Sequence, residues 1–343
     1  MSIFRGGWFR PGINFTAHLI VMNLLPRRSF IREAGALAFG AATAATSRAA
    51  AVVATTRRRV LRAAHLTDIH VLPDAKDFQN PPDGMASAIR HAQSQPDKPD
   101  LILFGGDLVM DSLKTPKDQV ITQWETWEKV FSAEVKLPHK LCLGNHDVFG
   151  WARHDQPALE SDPHYGKGLA LERLGMKDRY YSFDQAGWHF VVLDSMQPDV
   201  ANKHGYTARL DDAQFAWLAR DLAATPATTP VCILSHIPIL SVCVFFDEDL
   251  ESTGSWIIPG AWAHIDSRRI KSLFHQHPNV KVCLSGHVHL VDDVTYLGVR
   301  YLCNGAVSGG WWKGNYQEFG PAYALVDFFD DGTVENRLVY YRA

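Results

Sequence analysis

The sequence predicts an α/β (α+β) four-layer fold: two mixed β-sheets packed face to face, with helices on the outside. Three observations carry this expectation. Short apolar runs alternate with stretches at helical spacing from about residue 60 to residue 285. The chain then changes character, and 293–303, 322–328 and 334–341 read as strands with no helix between them, which suggests hairpins. Finally, five apolar runs each end on Asp, Asn or His, and in open α/β sheets ligand sites form at the carboxyl ends of strands.

In chain order, Val60–Thr67 is the first expected strand, and 84–94 is a helix with apolar residues on one face. Leu101–Phe104 is the second strand, and 118–134 is an amphipathic helix carrying Trp124, Trp127 and Phe131. Leu141–Leu143 is the third strand. Residues 148–180 are rich in loop formers, with one helix near 167–174. Trp188–Leu193 is a strand, Asp211–Ala223 a helix and Val231–Leu234 a strand. Residues 241–263 are irregular and aromatic, and Ser267–His275 is a helix followed by the strand Val280–Leu284. There is no internal repeat, so 58–343 reads as one catalytic domain preceded by an extension at 1–51.

The composition is that of an ordinary globular chain of 343 residues, 46% hydrophobic and 21% charged. Residues 1–51 hold six Arg and one Glu, a charge of +5; against a total of -3 this leaves -8 for the remainder. A mildly acidic body disfavours nucleic acid as a partner. The five Cys include three inside the apolar runs (Cys142, Cys232, Cys283), and the odd count without CxxC argues for buried thiols rather than a disulfide framework.

Residues 27–51 begin with Arg27-Arg28, followed by Phe30, Ile31 and an Ala/Gly-rich stretch ending in small residues. This resembles a twin-arginine export signal, which implies the twin-arginine machinery as a partner and a periplasmic or exported location. The stretch is too short and too weakly apolar for a stable membrane span. Met22 looks like the natural start of such a signal.

The strand-end motifs are Asp68-x-His70, Gly-Asp107, Gly-Asn145-His146-Asp147, Ser-His236 and Gly-His287-x-His289. Residues two apart in extended chain point to the same side, so Asp68 with His70, and His287 with His289, can each converge on one ion. The glycines before Asp107 allow close backbone approach. Two Asp, one Asn and four His are too many ligands for one tetrahedral zinc and about right for two ions. The nitrogen and oxygen mixture suits Mn, Fe or Zn better than Ca or Mg.

All five blocks, intact and in order, resemble those of the calcineurin-like metallophosphoesterases, most closely the bacterial branch that includes class III cyclic-nucleotide phosphodiesterases. The resemblance covers roughly 60–305. It implies a first metal on Asp68, His70, Asp107 and His289, and a second on Asp107, Asn145, His236 and His287, with Asp107 bridging. It makes His146 similar to the family's catalytic histidine, oriented by Asp147 through a hydrogen bond. Two cations about 3.5–4 Å apart acidify a bridging water and clamp phosphate oxygens, so that the resulting hydroxide attacks phosphorus. Met110 stands where purple acid phosphatases carry a tyrosine, and His146 where lipid A precursor hydrolases carry an arginine, which disfavours both subclasses.

These features imply a hydrolase of phosphate esters, with phosphodiesters such as 3′,5′-cyclic nucleotides as the favoured substrate. The alternatives are a phosphomonoesterase of nucleotides or small esters and a metal-poor scaffold, the latter disfavoured because every ligand is present. The run 305–312, GAVSGGWW, places Trp311 and Trp312 near the last motif, where they can stack on a nucleobase or wall the pocket. The aromatic segment 241–263 offers a substrate cap or a homodimer contact. Asp211, Asp212, Asp247, Glu248 and Asp249 read as solvated loop or helix-start charges.

Overall fold

A computed structural model describes residues 57–247 and 254–342, which fall within one compact unit, Thr55–Ala343. The twin-arginine segment, and with it the start at Met22, lies outside the described residues.

The first sheet contains β1 (Arg59–Leu66), β2 (Leu101–Phe104) and β3 (His139–Leu141), joined by two strands from the end of the chain, β12 (Ala322–Phe329) and β13 (Val334–Tyr340). Its order is β13-β12-β1-β2-β3, with β1, β2 and β3 parallel and the two late strands antiparallel. The second sheet contains β4 (Tyr181–Gln185), β5 (Trp188–Leu193), β8 (Val231–Ser235), β9 (Val280–Ser285), β10 (Val291–Tyr296) and β11 (Val299–Asn304), in the order β10-β11-β9-β8-β5-β4. A small ribbon, β6 (Met196–Pro198) with β7 (Tyr206–Ala208), lies apart.

Strand alternation builds the layers, because successive side chains point to opposite faces. Leu61, Ala63, Leu101 and Leu103 from the first sheet meet Phe190, Val192, Cys232, Leu234, Val282 and Leu284 from the second. The other face of the first sheet, with Ala64, Leu66, Ile102 and Phe104, is covered by α1 (Pro81–Gln93) and α2 (Lys117–Glu134). The helices present Met85, Ala88, Ile89 and Ala92, and Val120, Trp124 and Trp127, at the spacing of one helical face. Val191, Ile233 and Cys283 on the outer face of the second sheet pack under α4 (Asp212–Ala224) and α5 (Ser267–Gln276). A short α3 (Gly168–Leu174) lies between β3 and β4. This is the four-layer arrangement the sequence predicts.

The differences have local causes. The third strand occupies 139–141 rather than 141–143, and Cys142 adds one further bond, its N–H donating to Phe104 O at 2.9 Å before the chain turns into the site. The stretch expected as one strand at 293–303 is a hairpin, turned at Leu297 and Gly298, both with positive φ. β4, β6 and β7 escaped the sequence reading because each is short and lies at an edge or in a two-stranded ribbon, where one apolar face is not required. All five cysteines are buried and free, and burial pushes the Cys142 and Cys232 thiols up.

Candidate metal centre

Every strand-end motif lies at the carboxyl end of its strand, and the two sheets contribute to one cluster. The first sheet supplies Asp68 and His70 after β1, Asp107 after β2, and Asn145 and His146 after β3. The second supplies His236 after β8, and His287 and His289 after β9. Potential ligand atoms of Asp68, His70 and His289 lie within 4.8 Å of one another, as do those of Asp107, His236 and His287, and those of His70, Asp107 and His146. Asp107 stands between the groups: its Oδ2 is 3.5 Å from His70 Nε2 and 3.2 Å from His236 Nε2. The side-chain oxygen of Asn145 is 3.1 Å from His236 Nε2.

The convergence of Asp68 with His70 does not come from extended chain. Asp68, His70, Asp107, His287 and His289 all have φ between 49° and 74°, the left-handed region that a non-glycine residue enters at a cost of about 1–3 kcal/mol. Successive left-handed turns curl each loop so that its side chains face inward. Glycine is needed where loops pass the carboxylates. A Cβ on Gly144 would lie 2.2 Å from the Asp107 carboxylate oxygen, and one on Gly286 would lie 2.1 Å from that of Asp68.

Backbone carbonyls fix the histidine rings. His236 Nδ1–H donates to Gly105 O at 2.8 Å, His289 Nδ1–H donates to Gly309 O, and His287 Nε2–H donates to Ala261 O at 3.0 Å. The opposite nitrogens face inward, and buried His287 Nδ1 has no hydrogen-bond partner. His70 Nε2 and His289 Nε2 face each other at 3.0 Å, an arrangement that a cation between them would satisfy. The charge balance agrees. Burial, reinforced by the His236 charge, drives His287 down to about 3, and burial likewise holds His70 low, so both stay unprotonated. Burial opposes charge on Asp68 and Asp107, yet the neighbouring histidines, His236 foremost, together outweigh it and both carboxyls stay below the usual range. His236 is held up to about 9, because Asp107 and Asp68 overcome its burial. The donor set therefore fits metal ions: two anionic carboxylates and the neutral imidazoles of His70 and His287 converge with His236, whose proton a bound cation would displace.

Two expected roles change. Asp147 does not orient His146. Its carboxylate accepts the N–H groups of Leu108 (2.8 Å), Val109 (3.2 Å) and Gly144 (2.8 Å), tying the loop after β2 to the loop after β3. Burial and Asp107 push its carboxyl up to about 7. The His146 ring is held instead by Met110 O, 2.5 Å from Nδ1, while the His146 backbone N–H donates to Asp107 Oδ1 at 2.7 Å. Trp312 is not a substrate platform: it is fully buried, donates Nε1–H to His70 O at 2.9 Å, and closes against Gly84. Trp311 does line the cleft, stacked on His289 with ring centroids 4.1 Å apart.

The remaining walls were not singled out as site residues. Lys114, His204, Tyr206 and Tyr316 line the cleft, with Asp247 and Trp262 from the aromatic segment. Asp247, expected to be solvated, is buried and accepts the Tyr316 hydroxyl. No periodic pattern marks these residues, because they come from loops that meet only in the fold.

The comparisons with known proteins agree with this geometry. The model of the calcineurin-like phosphoesterase family matches residues 61–291. A 3′,5′-cyclic-nucleotide phosphodiesterase of Nostoc sp. is 26% identical over 280 residues, covering 79% of this chain and 88% of that protein. A 3′,5′-cyclic adenosine monophosphate phosphodiesterase of Vibrio vulnificus is 27% identical over 117 residues, 34% of this chain and 36% of that protein. Among solved structures, a dimetal phosphatase from Danio rerio shares the fold with a TM-score of 0.54 at 14% identity, covering 83% of this chain and all of that one. The chain belongs to the calcineurin-like phosphoesterase family and is a metallophosphoesterase, a hydrolase of phosphoric esters.

Proposed function

We propose that this protein is a dinuclear metal-dependent phosphodiesterase acting on small phosphodiesters such as 3′,5′-cyclic nucleotides. The observation that carries the dinuclear reading is the position of Asp107 between two groups of buried ligand atoms. Asp68, His70, Asp107 and His289 would hold one ion, and Asp107, Asn145, His236 and His287 the other, with Mn, Fe and Zn the candidates. Such ions supply the Lewis acidity that lowers the pKa of water and neutralises phosphoryl oxygens. The protein's own part is positional. Met110 O holds the His146 ring so that its other nitrogen faces the cleft, where it can hydrogen-bond or protonate the leaving oxygen. Trp311 and Trp262 supply an aromatic wall beside the reacting group, and Lys114 a cation at its rim.

The diester preference is supported by the two cyclic-nucleotide phosphodiesterase relatives. We further propose that Arg27-Arg28 marks a twin-arginine signal and that the enzyme works in the periplasm or outside the cell, where scavenging phosphate from external esters fits better than signalling. A panel of cyclic nucleotides, other diesters and monoesters, run with Mn, Fe and Zn, tests the activity. Higher kcat/KM for cyclic nucleotides is expected, whereas a preference for monoesters would replace the diester reading. Fewer than two ions per chain in the active preparation would overturn the dinuclear one.

A further inference from the structure

A pair of thiols sits beneath the last metal-binding loop, outside the ligand set. Cys303 is near the end of β11, and Cys243 begins the short turn Cys243–Phe246 that precedes the cleft residue Asp247. They pack in one small apolar cluster with Val244, Val288 and Leu290. Asp292 joins them. It pairs with Cys303 across the β10–β11 ladder, and its carboxylate accepts the N–H of Val242 at 2.6 Å and of Cys243 at 2.9 Å. The Ser241 hydroxyl donates to the same carboxylate at 2.7 Å and lies 3.1 Å from Cys243 Sγ. The two thiols thus share one buried cluster and flank the same carboxylate, Cys243 through its backbone N–H and Cys303 through the ladder. Cys303 Sγ also lies 3.2 Å from Gly286 O, the carbonyl immediately before His287. Each partner thus touches a different part of the centre: one the turn leading into the cleft wall, the other the loop that presents His287 and His289.

We propose that Cys243 and Cys303 form a reversible disulfide that staples the 241–247 turn to the sheet beneath the metal-binding loop. The oxidant is a small-molecule disulfide of the glutathione class. Cys243 is the more accessible thiol, 5% exposed against 1% for Cys303, and reacts first. Its sulfur, losing its proton, attacks one sulfur of the oxidant; that S–S bond breaks, and one thiol leaves with the proton. Cys303 then loses its proton and attacks the Cys243 sulfur, and the second thiol leaves protonated. The protein gives up two electrons and two protons, and the oxidant becomes two thiols. Both thiols are buried, so exchange requires the turn to lift. Once formed, the disulfide removes the Cys303 S–H donor from Gly286 O and fixes the approach to Asp247.

The test is thiol counting on the full chain under denaturing conditions, after native incubation with oxidised glutathione. Five titratable thiols should fall to three, with a dithiothreitol-sensitive peptide linking 243 to 303; Cys243→Ser and Cys303→Ser should each hold at four. Five thiols persisting in the wild type, or cross-linking that survives Cys243→Ser, would overturn the proposal. The coupling to the site rests on the phosphodiesterase reading. It predicts an at least twofold, reductant-reversible change in KM for the wild type and none for Cys243→Ser; a cross-linked protein with unchanged KM would remove that coupling. Thiol counts are read without activity, so failure of the functional reading leaves them intact.

Discussion

His146 occupies a position that spacing alone separates from its neighbours. Between Asn145 and Asp147, it has a ring fixed by one backbone carbonyl and an edge turned to the cleft. His146→Ala is expected to lower kcat by about 10²–10⁴-fold, the range for a lost acid–base group, while bound metal stays constant. Turnover and metal content on one preparation check this; loss of an ion would make His146 a ligand instead. At this scale the sequence was highly legible for residue type. All seven ligand candidates stand at strand ends, and the fold brings them together, Asn145 through its contact with His236. It was less legible for cause. Asp68 and His70 converge through left-handed backbone, which no i, i+2 rule describes. Asp147 was misread because its partners are backbone N–H groups, which carry no sequence signature.

The loop holding the adjacent tryptophans shows how one element divides its work. Trp311 faces the cleft, whereas Trp312 is buried with its indole N–H on His70 O. Trp312→Ala should therefore cost about 3–5 kcal/mol, typical of a large aromatic lost from a core, and loosen the β1 loop. Trp311→Ala should shift KM with a smaller loss of stability. Urea unfolding midpoints beside steady-state kinetics separate the two, and equal destabilisation would refute the division. The apolar-patterned elements were the legible ones: α1 and α2 bury residues at helical spacing, β2 is wholly apolar, β8 is apolar up to Ser235, and β1, β5 and β9 carry apolar stretches broken only by single polar residues. The short edge strands were not, since pairing and not patterning defines them.

For the molecule as a whole, two charge arrangements outside the cleft bear on stability. Lys167, Arg179 and fully buried Asp194 form an ion network joining the segment before α3 to the end of β5. On the second sheet, His189 lies between Asp221, 2.8 Å from Nε2, and Asp184, 2.7 Å from Nδ1. The Asp221 hydrogen bond, with Asp184, raises the His189 pKa against its burial. A histidine raised on folding contributes stability that is fully present below its unfolded value, about 6.5, and that is lost as pH rises through the folded one. Wild type should therefore lose more stability than His189→Gln as the pH rises above about 6.5, read as the difference in urea midpoints; parallel curves would contradict this. Metal should act in the opposite sense to denaturant. Because ligands come from both sheets, ions at about 100 times their Kd are expected to stabilise the fold by about 2.7 kcal/mol each, seen as a fall in Tm on chelation.

The order of strands also sets a timetable. β1, which leads to Asp68 and His70, has β2 on one side and β12 on the other, and β12 (Ala322–Phe329) follows every ligand candidate in the chain. The earliest ligands in the chain are therefore flanked by nearly the latest strand, and the ligands of β9 lie between them in sequence. A chain that has emerged only as far as β9 holds all seven candidate ligands but lacks β12, the strand that flanks β1, so metal capture is expected to follow the pairing of β12.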